Sequence, residues 1–172
     1  VRKNPERLKL VMTMLATLRG IPQIFAGDEM MFTSKELSQG HGGLRVDFPG
    51  GWTGDAKNLF TAEGRTGLEK ELFDYTQRLF QWRRGKSVIH NGRTMHFLSR
   101  DNTYAYFRYN DTDAVFVFIN NSRGRKQVPW SHYAEITEGL HDGRNVLTGE
   151  AATVDGHTIV GARQALVVEF KR

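Results

Sequence analysis

The chain has 172 residues, 39% of them hydrophobic and 25% charged, and a formal net charge of +5. That length holds one full core or two smaller ones sharing an interface, and no apolar run approaches the ~20 residues of a membrane-spanning helix. Absence of cysteine excludes disulfides and thiolate chemistry, and the basic residues are interleaved with acidic ones rather than clustered, so neither a membrane nor a nucleic acid is an expected partner.

The N-terminal Val-Arg-Lys-Asn is neither an initiator methionine nor a signal peptide, and the chain reads as an excised or mature piece. Asn4-Pro5 opens a helix, with Asn as N-cap and Pro at the first helical position. Leu8, Val11, Met12, Leu15 and Leu18 follow at helical spacing, and Gly20 stops the run. Residues 21–26 are mostly apolar on both faces and predict a short buried strand, with Pro22 at its entry. A second helix is expected from Thr66, with Glu69 closing a capping box and a stripe of Leu68, Leu72, Tyr75, Leu79 and Trp82. Gly85 ends it. Between strand and helix lies a long excursion, Asp28 to Arg65, holding seven glycines and the run GGLRVDFPGGW. A connection of that length belongs to a site more often than to a simple link.

Beyond residue 92 the pattern turns to strands. Thr103–Tyr109 and Ala114–Ile119 predict a hairpin across Asn110-Asp111-Thr112-Asp113. Weaker strands are expected near Val128, at 145–147, at 157–160 and at 165–170, which together predict a small antiparallel β-sandwich. The alternating aromatics Tyr104, Tyr106, Phe107, Phe116, Phe118 and Trp130 are read as its two faces.

GIPQIFAGDE, Gly20 to Glu29, resembles the eighth-strand motif of the α-amylase family, glycoside hydrolase family 13. LRVDFPGGW, Leu44 to Trp52, is similar to the loop after that strand in the neopullulanase and cyclomaltodextrinase-like branch. The resemblance implies an α/β plus all-β chain: residues 1–91 as the last β/α unit of a (β/α)8 TIM barrel (helix 7, strand 8, long loop, helix 8), and residues 92–172 as the C-terminal antiparallel β-sandwich. It also implies a retaining hydrolase acting on α-1,4-linked glucans, with no cofactor and an α-glucan oligosaccharide as partner. Such enzymes need two carboxylates ~5 to 5.5 Å apart. In the family these and a third carboxylate follow strands four, five and seven, so this chain is expected to hold no catalytic residue and to be inactive alone.

A loop after a barrel strand lies at the substrate mouth. Arg45 matches, by its place ahead of DFPGGW, an arginine that touches sugar in relatives; bracing Asp47 is the competing role. His41 stands where relatives often carry an acidic sugar contact. Asp28 and Glu29 point to opposite faces of an extended segment and are expected to shape the pocket, not to flank one bond. Asp47 is expected to order the loop, and Phe48 and Trp52 to pack it onto the barrel in preference to stacking on a sugar ring. The histidine spacing supports no zinc site, and nothing has the oxygen-ligand clustering of a calcium loop. A non-catalytic β module that binds glucan or braces the barrel is the alternative function. Exposed barrel surfaces around Ile21, Ile24 and Phe25 predict self-association or a rearranged first segment. A cysteine-free member would suit a bacterial envelope or the cytoplasm.

Overall fold

In the computed structural model, residues 4–33, 38, 40–43 and 45–172 are described. Helix α1 spans Pro5–Thr17, with the Asn4 side chain accepting from the Arg7 N–H at 3.0 Å. A 3₁₀ turn covers Asp28–Met30, and a single helical turn, α2, covers Gly40–Gly43. Helix α3 is Gly67–Arg84, and the short α4 is Ser87–Asn91. The strands are β1 Arg93–His96, β2 Thr103–Tyr109, β3 Asp113–Asn120, β4 Lys126–Pro129, β5 His141–Asn145, β6 Ala151–Ala152, β7 His157–Val160 and β8 Gln164–Lys171. A 3₁₀ turn at Trp130–Tyr133 and the turn α5, Ala134–Thr137, bridge β4 to β5.

The expected capping box forms. Thr66 Oγ1 accepts from the Glu69 N–H at 3.4 Å, and Glu69 Oε2 accepts from the Thr66 N–H at 2.7 Å. Lys57 adds two bonds to the same carboxylate, at 2.9 and 2.7 Å. Burial pushes the Glu69 pKa up, but the bonds from Lys57 and Thr66 outweigh it and the net shift is downward.

Strands order as β1-β2-β3-β8-β5-β6 in one antiparallel sheet, with β4 and β7 paired separately. Residues Thr103 and Tyr109 pair with Asn120 and Ala114, so the expected hairpin forms. The expected strand at 145–147 is displaced: β5 ends at Asn145, whose side chain accepts from the Leu147 N–H at 2.9 Å in a turn.

Both faces of the central sheet are covered, so the chain is layered as helices, six-stranded sheet and two-stranded sheet. On one face Phe107, Phe116, Phe118, Val168 and Phe170 meet Val128, Trp130, Tyr133 and Val160. On the other, Tyr106, Val115, Val117, Ile119 and Val167 meet Leu10, Val88 and Ile89. That is why β3 is buried along nearly its whole length without alternation.

Three expectations need correction. Residues 21–26 form no strand, and Ile21 is 97% and Phe25 54% exposed. A parallel barrel strand draws its ladder bonds from flanking strands, and among the described residues none runs beside this segment. A TIM-barrel β/α unit is therefore not evident in the structure. In α1, Val11 is 49% exposed and the buried face is Leu10, Met12, Thr13, Ala16 and Thr17. Two buried threonines are tolerated because Thr13 Oγ1 pairs with the Tyr75 hydroxyl at 2.7 Å and Thr17 Oγ1 with the Tyr106 hydroxyl at 2.5 Å. In α3, Leu68 is 48% exposed, and Glu69, Thr76 and Arg83 join Leu72 and Leu79 inside. Arg83 donates to the Ala16 and Gly20 carbonyls at 2.6 and 2.9 Å, closing the end of α1.

Candidate functional site

The excursion between α1 and α3 is a built structure over residues 45–65. Leu59, 1% exposed, anchors it, and its N–H donates to the Pro49 carbonyl at 2.9 Å. Arg65 donates to the Leu59 and Phe60 carbonyls at 2.9 and 3.1 Å while its guanidinium lies 3.6 Å from the Phe73 ring centroid on α3. Phe48 is sandwiched, with ring centroids 5.5 Å from Phe32 and 4.5 Å from Phe60. Gly50 has φ +120°, and a Cβ there would fall 2.4 Å from Asn58 Oδ1. Glycine is thus required on both backbone and packing grounds.

Gly50-Gly51 throw the chain into a tight turn in which the Trp52 N–H donates to Asp55 Oδ2 at 3.1 Å and the Asp55 N–H to the Trp52 carbonyl at 3.3 Å. Trp52 emerges from it 82% exposed. Beside it opens a cleft of 560 Å³ whose lining includes Asp47, Trp52, Asp55 and Phe60. Asp47 is exposed and makes no hydrogen bond or ion pair among the described residues.

Of the sequence candidates, the cleft brings together Asp47 and Trp52. Arg45 is exposed outside the lining; its N–H donates to the Gly42 carbonyl at 3.1 Å, and it forms no ion pair with Asp47. His41 is exposed on α2. Asp28 and Glu29 lie in the 3₁₀ turn and serve their own backbone: Asp28 Oδ2 accepts from the Phe25 N–H at 3.2 Å, and Glu29 Oε2 from the Gly27 N–H at 3.0 Å. Asp55 and Phe60 complete the cleft and escaped sequence reading. Asp55 had a visible signal, an aspartate three residues after Trp52 across Gly54, which is turn chemistry. Phe60 had none, since its place depends on Phe48.

The rings of the β domain are turned inward by comparison. Phe116 packs on Trp130 and Tyr133 at 4.9 Å each, and the half-buried Phe97 meets Tyr133 edge-on at 4.7 Å. A groove of 620 Å³ there is lined by Leu98, Arg100, Lys126 and His132 among others, without a flat exposed ring. Among the described residues, no group of three or more His, Asp or Glu side chains is placed to hold a metal, and no helix is long and apolar enough to cross a membrane.

Residues 94–169 match the family model described as the cyclo-malto-dextrinase C-terminal domain. The whole fold recurs in solved structures. An α-amylase from Geobacillus thermoleovorans, complexed with acarbose, superposes with a TM-score of 0.68 at 20% identity, covering 99% of this chain and 34% of that one. An Anoxybacillus α-amylase gives 0.66 at 22% identity, covering 96% of this chain and 32% of that one. The trehalose-6-phosphate hydrolase of Bacillus licheniformis gives 0.67 at 18% identity, covering 97% and 39%. This chain thus spans about a third of the length of the structures it matches, and at these identities the likeness establishes fold.

Proposed function

We propose that this chain is the C-terminal part of a retaining α-glucan hydrolase of the neopullulanase or cyclomaltodextrinase type, acting on α-1,4-linked glucans. The observation that carries the reading is the order of two signals in one chain: the loop run LRVDFPGGW, then, after helix α3, the matched domain at 94–169. In this reading residues 1–91 complete a (β/α)8 barrel and residues 92–172 are the C-terminal β domain. Arg45 and His41 contact the sugar, while Asp28, Glu29, Asp47 and Trp52 shape the pocket. The exposure of Ile21, Phe25, Val11 and Leu68 supports the barrel assignment, because neighbouring barrel elements would cover these side chains. The same surface makes the isolated chain prone to self-association. The two carboxylates of retaining hydrolysis come, on this proposal, from strands that precede this chain.

The 172-residue chain, assayed for reducing-sugar release from cyclodextrin, pullulan and soluble starch, is expected to show none, and the parent enzyme to release sugar with retained anomeric configuration. Inverted product, or turnover by the chain that is lost in Asp28→Asn or Glu29→Gln, would overturn the proposal. Within the alternative reading of a non-catalytic module, the contacts favour bracing over sugar binding for the β domain. Trp82 Nε1 donates to Glu169 at 2.8 Å, Lys86 pairs with Glu169 at 2.5 Å, and Arg78 donates to the Leu147 carbonyl at 2.7 Å, all joining the helices to the sheet.

A further inference from the structure

We infer that the cleft between Trp52 and Phe60 is a binding subsite for a glucose ring of an α-glucan, with Trp52 as its stacking platform and Asp47 and Asp55 as hydroxyl acceptors. The choice of an α-glucan rests on the function proposed above; the chemistry of the cleft comes from its own residues.

The exposure of Trp52 is built in. Its turn is closed at both ends by the paired Trp52 and Asp55 bonds, and Gly50, Gly51 and Gly54 take φ of +120°, +98° and +94° to make it. The loop behind it is pinned by buried Leu59 and by the Phe32-Phe48-Phe60 stack. A backbone so constrained presents the 82% exposed indole at a fixed place beside the cleft, so that binding has only the side chain left to order. Phe60, 63% exposed, gives the cleft a second ring.

The polar groups decide the occupant. Asp47 has no partner among the described residues, and Asp55 uses Oδ2 for the Trp52 N–H and leaves Oδ1 free. An apolar protein surface laid on the two rings would strand both carboxylates, a cost of several kcal/mol. A phosphate or nucleic-acid ligand would meet two like charges. A pyranose instead offers an apolar C–H face to the indole and hydroxyl donors at its rim, which satisfies rings and carboxylates together. The 560 Å³ of the cleft lies within the ~300–1,000 Å³ of small-molecule sites.

The test uses the 172-residue chain and its tryptophan fluorescence. Trp130 is buried, donating to Thr158, and Trp82 is half-buried, donating to Glu169, so acrylamide quenching reports mainly on Trp52. Maltoheptaose is expected to reduce quenching about twofold and to saturate near millimolar concentration, as an open, shallow site should. Asp47→Asn is expected to weaken binding a few-fold, and Trp52→Ala to abolish the protection and to weaken maltoheptaose binding, read by calorimetry, at least ~10-fold. Quenching indifferent to maltoheptaose, equal protection by cellohexaose, calorimetric binding undiminished in Trp52→Ala, or protection that grows with protein concentration without sugar would overturn the subsite. The last result would assign the cleft to a second copy of the chain. Loss of the subsite with retained-anomer hydrolysis by the parent would leave the hydrolase reading standing; sugar binding at Trp52 with inverted product would do the reverse.

Discussion

The bond between Thr17 and Tyr106 joins the last turn of α1 to the middle of β2, and removing it tests whether helices and β domain fold as one unit. Tyr106 is 0% exposed and its hydroxyl lies 2.5 Å from Thr17 Oγ1, which also donates to the Thr13 carbonyl at 2.6 Å. Tyr106→Phe deletes one hydroxyl and leaves Thr17 still bonded to its own helix, so the loss should be about 1 kcal/mol. Thr17→Val keeps the shape but strands a buried phenol, at about 1–3 kcal/mol. The double variant should cost less than the sum, with a coupling of about 1 kcal/mol. Urea unfolding followed by far-UV circular dichroism measures all four corners. The pH dependence gives an independent reading. Burial pushes the Tyr106 pKa well up. In the unfolded chain the phenol ionises near 10, while in the folded chain it stays neutral. The unfolded state therefore loses its proton first, and the stabilisation present below pH 10 falls as pH rises beyond it. Tyr106→Phe should flatten that alkaline decline. Zero coupling together with an unchanged alkaline slope would refute the docking of α1 on the sheet.

Glu69→Gln should destabilise by about 1 kcal/mol at pH 7, since a lowered carboxylate pKa stabilises above the ordinary value of 4.5 and that contribution fades as pH falls through the folded-state pKa; wild type and variant should converge in melting temperature in acid. Gly50→Ala should cost about 1–3 kcal/mol, from positive φ and the 2.4 Å approach to Asn58, and should change the quenching of Trp52 by disturbing its turn; an unaltered melting temperature would mean that the turn is not held as described. Phe116→Ala should cost about 3–5 kcal/mol, because Phe116 is 0% exposed and touches Phe107, Trp130 and Tyr133, whereas Val11→Ala should fall within about 0.5 kcal/mol. Comparable losses by calorimetry would contradict the observed burial of α1.

Local signals were legible where they close within a few residues. The Asn4 cap, the Thr66 and Glu69 box and the hairpin at Asn110 to Asp113 each form from neighbours in sequence, and their geometry follows from side-chain chemistry alone. The run of glycines around Trp52 likewise announced a tight turn, and Gly50 needs its special backbone. What sequence could not supply was the partner on the far side of each element. The apolar pattern of residues 21–26 is a strand's, yet a strand exists only where another backbone accepts its hydrogen bonds. Val11 and Leu10 are adjacent and equally apolar; which one is buried depends on how α1 meets α3 and the sheet. Arg83 reads as a helix-end charge, and only the tertiary fold reveals it sealed inside, bonded to the end of α1.

The same division holds at the candidate site. Sequence by itself determined that a glycine-rich loop with an arginine, an aspartate and a tryptophan lies between two helices, because spacing and turn chemistry are local properties of the chain. Only the tertiary structure decided that Phe48 turns inward onto Phe32 and Phe60, that Trp52 stands in solvent, and that Asp47 and Asp55 share a cleft with it. Which ring of a loop packs and which remains free is settled by the surfaces the loop folds against, and those are assembled from residues distant in sequence.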